Sequence, residues 1–165
     1  MFYDVIENFL SEEDFGDLVT NTLNNIYFPL FLKQRVAASW TNDGIYFTHC
    51  FWQNDGVNSD FYKHIVPILD KLSPNKIKRI QFNLYPKTHE IVRHDWHVDE
   101  PDDHKGCILY LNTNDGQTLL RESEDSAIGI RSIANRALFF NPAKPHCSTT
   151  CTDKEFRSNI IFNYE

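Results

Sequence analysis

The chain has 165 residues, a formal net charge of −7 and a sequence pI near 5.4. That length suits one domain over residues 1–165 and buries roughly 68–70% of the unfolded surface, so neither disulfides nor a structural metal are required for folding. The acidic balance argues against a dedicated nucleic-acid binder, since phosphate backbones are held by Lys and Arg; the short basic run Lys76–Arg79 is local. No apolar run reaches the roughly 18 residues of a membrane span, and no basic-then-apolar leader opens the chain, so a cytoplasmic protein with four reduced cysteines is expected.

Residues 1–9 read as a short apolar strand. Ser11 and the acids Glu12, Glu13 and Asp14 mark a helix start, where a hydroxyl caps free amides and carboxylates meet the positive end. Phe15, Leu18, Val19, Leu23 and Ile26 recur at helical spacing, and Pro29 ends the helix at the latest. Turn signals follow at 41–44 and 54–56, with strand-like Ile45–Trp52 between them. A second helix is expected over Ser59–Leu72, kinked or shortened by Pro67.

From Lys76 the period changes to two. In Lys76–Tyr85, Ile80, Phe82 and Leu84 take one face, while Gln81, Asn83 and Tyr85 take the other. Further strands are expected at 106–111, 127–133, 136–140 and 156–164, separated by turns at 112–116, 134–135 and 141–142. Helices first and short antiparallel strands second argue an α+β fold, with the N-terminal helices packed on one side of a β sandwich or barrel.

The chemistry centres on His97 and Asp99, the only His-x-Asp or His-x-Glu in the chain. In an extended segment these two side chains share a face. His146, which follows the turn Asn141–Pro145, could complete two His and one carboxylate with open positions beside them, the ligand set of non-haem Fe(II) oxygenases. An exposed polar loop and a surface histidine would explain the same residues. Arg157 on the last strand is the telling addition: amid Phe156, Ile160 and Phe162 it needs a partner, either a protein carboxylate or a small carboxylate ligand clamped by the guanidinium fork. The spacing of His146, Cys147 and Cys151 raises a zinc site, but it is not a Cys-x-x-Cys knuckle and no second pair follows.

Together, His97-x-Asp99, His146 and Arg157 resemble the signature of the Fe(II)/2-oxoglutarate-dependent dioxygenases. Arg79–Tyr85 resembles the strand before their metal motif, and Lys105–Thr118 resembles a strand and turn of prolyl-4-hydroxylase-like members, with Gln117 in place of a second Gly. The lead-in Asp4–Ser11 is also similar. The resemblance implies a double-stranded β-helix (jelly-roll) core. It implies that His97, Asp99 and His146 hold Fe(II), that Arg157 pairs with the distal carboxylate of 2-oxoglutarate, and that Tyr85 bonds the same end. Asn83 and Asn159 would face the cosubstrate as well. It implies an oxidoreductase that uses O2 and 2-oxoglutarate to hydroxylate a protein side chain, amino acid or small metabolite, releasing succinate and CO2. Asn-x-Tyr and Arg-x-Asn also resemble the nucleic-acid oxidative demethylases, but that branch carries a second Arg where Asn163 stands. A non-catalytic, metal-binding jelly-roll is the other alternative; a cupin would carry His-x-His and a downstream Glu, which this chain lacks. Trp40, Trp52, Trp96 and Arg121 are candidates for substrate contact, and His94 for a solvated or proton-shuttling group.

Overall fold

The computed structural model describes residues 3–36 and 44–165. Trp40 and residues 41–43 of the predicted turn at 41–44 lie outside them. Strand β1 (Asp4–Ile6) leads into helix α1 (Glu12–Asn21). Strands β2 (Phe31–Lys33), β3 (Tyr46–Gln53) and β4 (Gly56–Val57) follow. A 3-10 turn (Asp60–Ile65) then runs into helix α2 (Val66–Leu72). The second half is all strand: β5 (Ile77–Pro86), β6 (Lys105–Tyr110), β7 (Gln117–Arg121), β8 (Ala127–Arg131), β9 (Ala137–Phe140), β10 (His146–Ser148) and β11 (Phe156–Tyr164).

Two antiparallel sheets result. The major sheet has the order β1-β9-β6-β11-β5-β3-β2, with β4 on β3; the minor sheet is β10-β7-β8. Isolated bridges, Arg93 to Thr149 and His97 to His146, add the segment before Asp99 to the minor sheet's edge. Ile108, Tyr110, Leu138, Phe140 and Ile161 from the major sheet meet Leu120 and Ile130 from the minor one, forming the core between the sheets. The outer face of the major sheet carries a second core, in which Ile80, Phe82, Ile160 and Phe162 pack against Leu18, Ile65 and Ile68 of the helical layer. This is the expected α+β jelly-roll with helices on one sheet.

Local chemistry explains the helix ends. Ser11 Oγ accepts from the Asp14 amide at 3.0 Å, as a cap should. The expected helix to Ile26 stops at Asn21, and Ile26 is 88% exposed instead of lying on the apolar face. Polar residues there bond back to the last turn, Asn21 Nδ2 to Asp17 O at 2.9 Å and Thr22 Oγ1 to Leu18 O at 2.6 Å, in competition with further winding. Pro67 does not kink a long helix. It sits in the first turn of α2, where its missing amide costs nothing, and the turns before it are 3-10. Asn54 and Asp55 both take positive φ, closing the β3–β4 hairpin as the Asn-Asp-Gly signal demands. Strands β2, β4, β7 and β10 are additions to the predicted set. β7 lies in what reads as a loop, but Thr118 and Leu120 alternate inward. Among the described residues no helix is long and apolar enough to cross a membrane.

Candidate metal centre

His97 and His146 face each other across a two-way backbone bridge, His97 N to His146 O at 3.0 Å and His146 N to His97 O at 2.9 Å. Each Nδ1 lies beside the carbonyl two residues earlier, Asp95 O at 3.1 Å and Lys144 O at 3.0 Å. Those carbonyls accept only, so both Nδ1 atoms carry the proton and both Nε2 lone pairs point inward, the orientation a metal ligand needs. The Nε2 atoms lie 3.9 and 4.0 Å from Asp99 Oδ1, and one ligand atom from each residue falls within 4.8 Å of the others. Two imidazole Nε2 atoms and one carboxylate, opening on one side to a cleft, fit a divalent non-haem iron.

The carboxylate is held from three sides. Its amide donates to Pro142 O at 3.0 Å, Asn163 Nδ2 donates to Oδ2 at 2.8 Å, and Arg79 Nη2 lies 3.1 Å from Oδ1. Burial alone would push the Asp99 carboxyl up; Arg79, His146 and the Asn163 bond outweigh it and hold it below the usual carboxylate range. Burial, reinforced by His97, pushes His146 down to about 4, so it stays neutral near pH 7. Phe140 stacks edge-on against His146, with ring centres 5.0 Å apart.

Arg157 is fully buried. Its Nη2 donates to Thr118 Oγ1 at 2.9 Å and its Nη1 to Thr149 O at 3.4 Å, while Nε has no partner. Tyr85 and Tyr110 flank the guanidinium at 5.4 and 5.6 Å. Among the described residues no carboxylate pairs with it. The stem fits because residue 116 is Gly: a Cβ there would fall 2.6 Å from Arg157 Cδ.

A cleft of about 260 Å³ lies between the sheets, walled by Tyr85, Asn83, Gln81 and Arg79 of β5, Asn159 and Ile161 of β11, and the three candidate ligands. Thr118, Ser148, Cys147, Ile108, Val36, Tyr46 and Val98 complete the lining. Arg157 stands behind Tyr85 and Thr118. Asn83 and Asn159 are cross-strand partners, Asn83 Nδ2 donating to Asn159 Oδ1 at 3.3 Å, and Gln81 Nε2 donates to Asn83 Oδ1 at 2.6 Å.

All seven sequence-predicted site residues therefore gather in or immediately behind one cleft. Other expectations move. Trp52 packs on Tyr62 at the outer core, away from the cleft. Trp96 lies under two guanidinium groups, Arg121 at 5.0 Å and Arg93 at 5.6 Å. His94 is buried rather than solvated, its Nδ1 2.7 Å from Ser148 Oγ and its ring against Tyr85. Arg79, Gln81 and Thr118 received no role from the sequence. Period two from Tyr85 back through Asn83 and Gln81 puts Arg79 on the same face, though its pairing with Asp99 leaves no trace in the alternation.

No family model matches the sequence, and no curated protein matches it either. Solved structures do match the fold. An oxidoreductase of the 2OG-Fe(II) oxygenase family from Burkholderia pseudomallei superposes with a TM-score of 0.71 at 14% identity, covering 99% of this chain and 84% of that one. A Pseudomonas putida prolyl-4-hydroxylase gives 0.66 at 14% identity, over 99% and 92%. SnoN, a non-haem α-ketoglutarate-dependent epimerase from nogalamycin biosynthesis, gives 0.68 at 12% identity, over 99% and 77%.

Proposed function

We propose that this chain is an Fe(II)- and 2-oxoglutarate-dependent oxygenase, one domain over 1–165, that hydroxylates a C–H bond of its substrate. The observation that carries the reading is Arg157: a fully buried guanidinium with no carboxylate partner among the described residues, behind the wall of a cleft that also holds a two-His, one-carboxylate set. A buried cation without a counter-charge is costly, and a carboxylate ligand removes the cost. The fold shared with 2-oxoglutarate oxygenases supports the same assignment.

His97, Asp99 and His146 would hold the iron by Nε2, a carboxylate oxygen and Nε2. Iron and cosubstrate, once bound, supply the oxidation: O2 gives one oxygen atom to the succinate formed from 2-oxoglutarate with loss of CO2, and the other to the substrate carbon. The protein's own task is to place and to exclude. Arg157 forks onto the distal carboxylate, with Thr118 and Tyr85 fixing its approach. Asn83 and Asn159 offer amide groups to the cosubstrate's flank. Asn163 fixes the Asp99 oxygen that faces away from the histidines, while Oδ1, beside both histidines and Arg79, is the oxygen that would meet the metal. Val36, Tyr46 and Val98 line the same cleft and would help to exclude water around the bound group.

Asn163 also argues against the demethylase reading, because it occupies the second-Arg position and is spent on Asp99. The test is anaerobic. Fe(II) followed by 2-oxoglutarate should give the visible charge-transfer band of a chelated ketoacid, and O2 should then yield succinate. Metal binding with no band would leave a non-catalytic jelly-roll as the better account.

A further inference from the structure

Two guanidinium groups stand at opposite ends of the β5 and β11 pairing that walls the cleft. Arg157 pairs in register with Tyr85, and Asn163 with Arg79, six residues further along β5. Six residues of strand span roughly 20 Å. From one end to the other, the β5 face reads Tyr85, Asn83, Gln81 and Arg79, and the candidate metal ligand Asp99 lies at the Arg79 end. A ketoacid reaching from Arg157 toward the metal has its distal carboxylate on Arg157 and its other end at the metal, so the Arg79 guanidinium beside Asp99 remains for another anion.

Charge decides what that substrate carries. Among the described residues, the cleft lining contains one carboxylate, Asp99, and one permanent cation, Arg79, with Arg157 just behind. Once a divalent metal and a dianionic cosubstrate are in place, the metal and the two guanidinium groups exceed Asp99 and the ketoacid by one positive charge. Lys78, the next residue, alternates to the opposite face of β5, where Glu100 at 3.2 Å and Glu165 at 3.3 Å engage it, so this charged group lies outside the cleft lining. Arg79 has one carboxylate partner among the described residues, Asp99, and it meets the oxygen on which the metal would draw. Its Nε is buried and without a partner. In a chain of net charge −7, a cleft with surplus positive charge singles out an anion.

Resting on the proposed oxygenase reading, we propose that Arg79 is the substrate-binding residue for a carboxylate, and that the substrate is a small free carboxylic acid, such as an amino acid or hydroxy acid. Its carboxylate sits on Arg79, flanked by Gln81, and the carbon to be hydroxylated lies a few bonds away, over the metal. A cleft of about 260 Å³ with a mostly polar β5 wall suits a small acid better than a length of polypeptide. The contact with Asp99 has a purely structural reading, in which Arg79 only neutralises a buried carboxylate. That reading gives no reason for an acid to bind better than its amide.

The experiment uses the whole chain loaded anaerobically with Fe(II) and 2-oxoglutarate. The charge-transfer band is followed while free amino acids, 2-hydroxy acids and short dicarboxylates are added at millimolar concentration, each beside its primary amide. N-acetylated, C-amidated Asp and Glu stand in for side chains on a polypeptide. The expected result is a band perturbed by one or more free acids and not by the matching amides. Arg79→Gln, with Fe(II) and 2-oxoglutarate raised until the band is restored because Arg79 also steadies Asp99, should weaken that binding roughly 10- to 100-fold, and Arg79→Lys should recover part of it. If Arg79→Gln fails to fold, as its melting curve would reveal, the acid-against-amide comparison on the wild-type chain decides alone. A band that no acid perturbs, or that acids and amides perturb alike, would overturn the carboxylate assignment and leave the oxygenase reading intact. A response only to the capped Asp or Glu would overturn the free-acid assignment. Absence of the band from wild-type protein would overturn both, which separates the two failures.

Discussion

Strands β5 and β11 present two faces that do opposite work. The outer face sets Ile80 and Phe82 beside Ile160 and Phe162, all at or near zero exposure, against α1, α2 and the 3-10 turn. The inner face of the same strands carries Arg79, Gln81, Asn83 and Tyr85 beside Arg157, Asn159 and Asn163. One alternation thus places apolar burial on one side and a costly array of buried polar groups on the other. The outer face secures the strands firmly enough for the inner face to hold buried polar atoms without partners, Arg79 Nε and Arg157 Nε among them. Stability and binding should therefore respond to different residues less than 4 Å apart along one chain.

Phe82→Ala should damage stability most. It empties a fully buried site against Phe28, ring centres 5.1 Å apart, and should cost about 3–5 kcal/mol by denaturant unfolding. Metal affinity should change little in whatever protein remains folded. A loss much below 1 kcal/mol would mean that the outer face is not the stabilising one.

Acid should act on the inner face. His146 is pushed from 6.5 to about 4, so between those values the unfolded chain binds the extra proton and stability falls as pH falls. That contribution is fully present above 6.5 and should amount to roughly 3 kcal/mol, lost by pH 4. Asp99, depressed below its ordinary value, adds a further loss only at lower pH still. His146→Gln should flatten the melting-temperature profile between pH 6.5 and 4; an unchanged profile would assign the titration elsewhere.

Asn163→Ala removes the bond to Asp99 Oδ2 and leaves a buried carboxylate oxygen unmatched, about 1–3 kcal/mol of stability. Fe(II) affinity should fall about tenfold as well, since the ligand loses its orienting partner. Equal Fe(II) affinity in mutant and parent would remove Asn163 from that role.

Arg157→Met marks the contrast most sharply. Without a ligand, removing a buried charge that has no counter-ion should leave stability within about 1 kcal/mol of the parent or raise it. Thr118 Oγ1 keeps its bond from the Tyr110 hydroxyl at 2.8 Å. A loss of 3 kcal/mol or more would show that the guanidinium is structural. Ile26→Ser, at an exposed position outside both faces, should stay within about 0.5 kcal/mol in the same melts.

Period two made much of this legible. From Lys76 onward the alternation separates Phe82 from Asn83 correctly, and residue types alone suggest His97, Asp99, His146 and Arg157. Helix ends were less legible, because Asn21 and Thr22 stop α1 through side-chain bonds that apolar spacing does not register. Edge strand β2 stayed hidden because Phe31 and Leu32 are exposed and show no alternation. Within the site, Arg79 escaped notice because its importance comes from Asp99, 20 residues away in sequence and 3.1 Å away in space. His94 reads as polar and solvated, yet the bridge between Arg93 and Thr149 draws it beneath Tyr85.

The most direct test is a calorimetric titration of 2-oxoglutarate into Fe(II)-loaded wild-type and Arg157→Met protein under anaerobic conditions. The two-face account predicts that the substitution leaves Fe(II) affinity intact and weakens 2-oxoglutarate binding by roughly 100-fold. Equal 2-oxoglutarate affinity in the two proteins would contradict it, because the buried guanidinium would then have no ligand to satisfy.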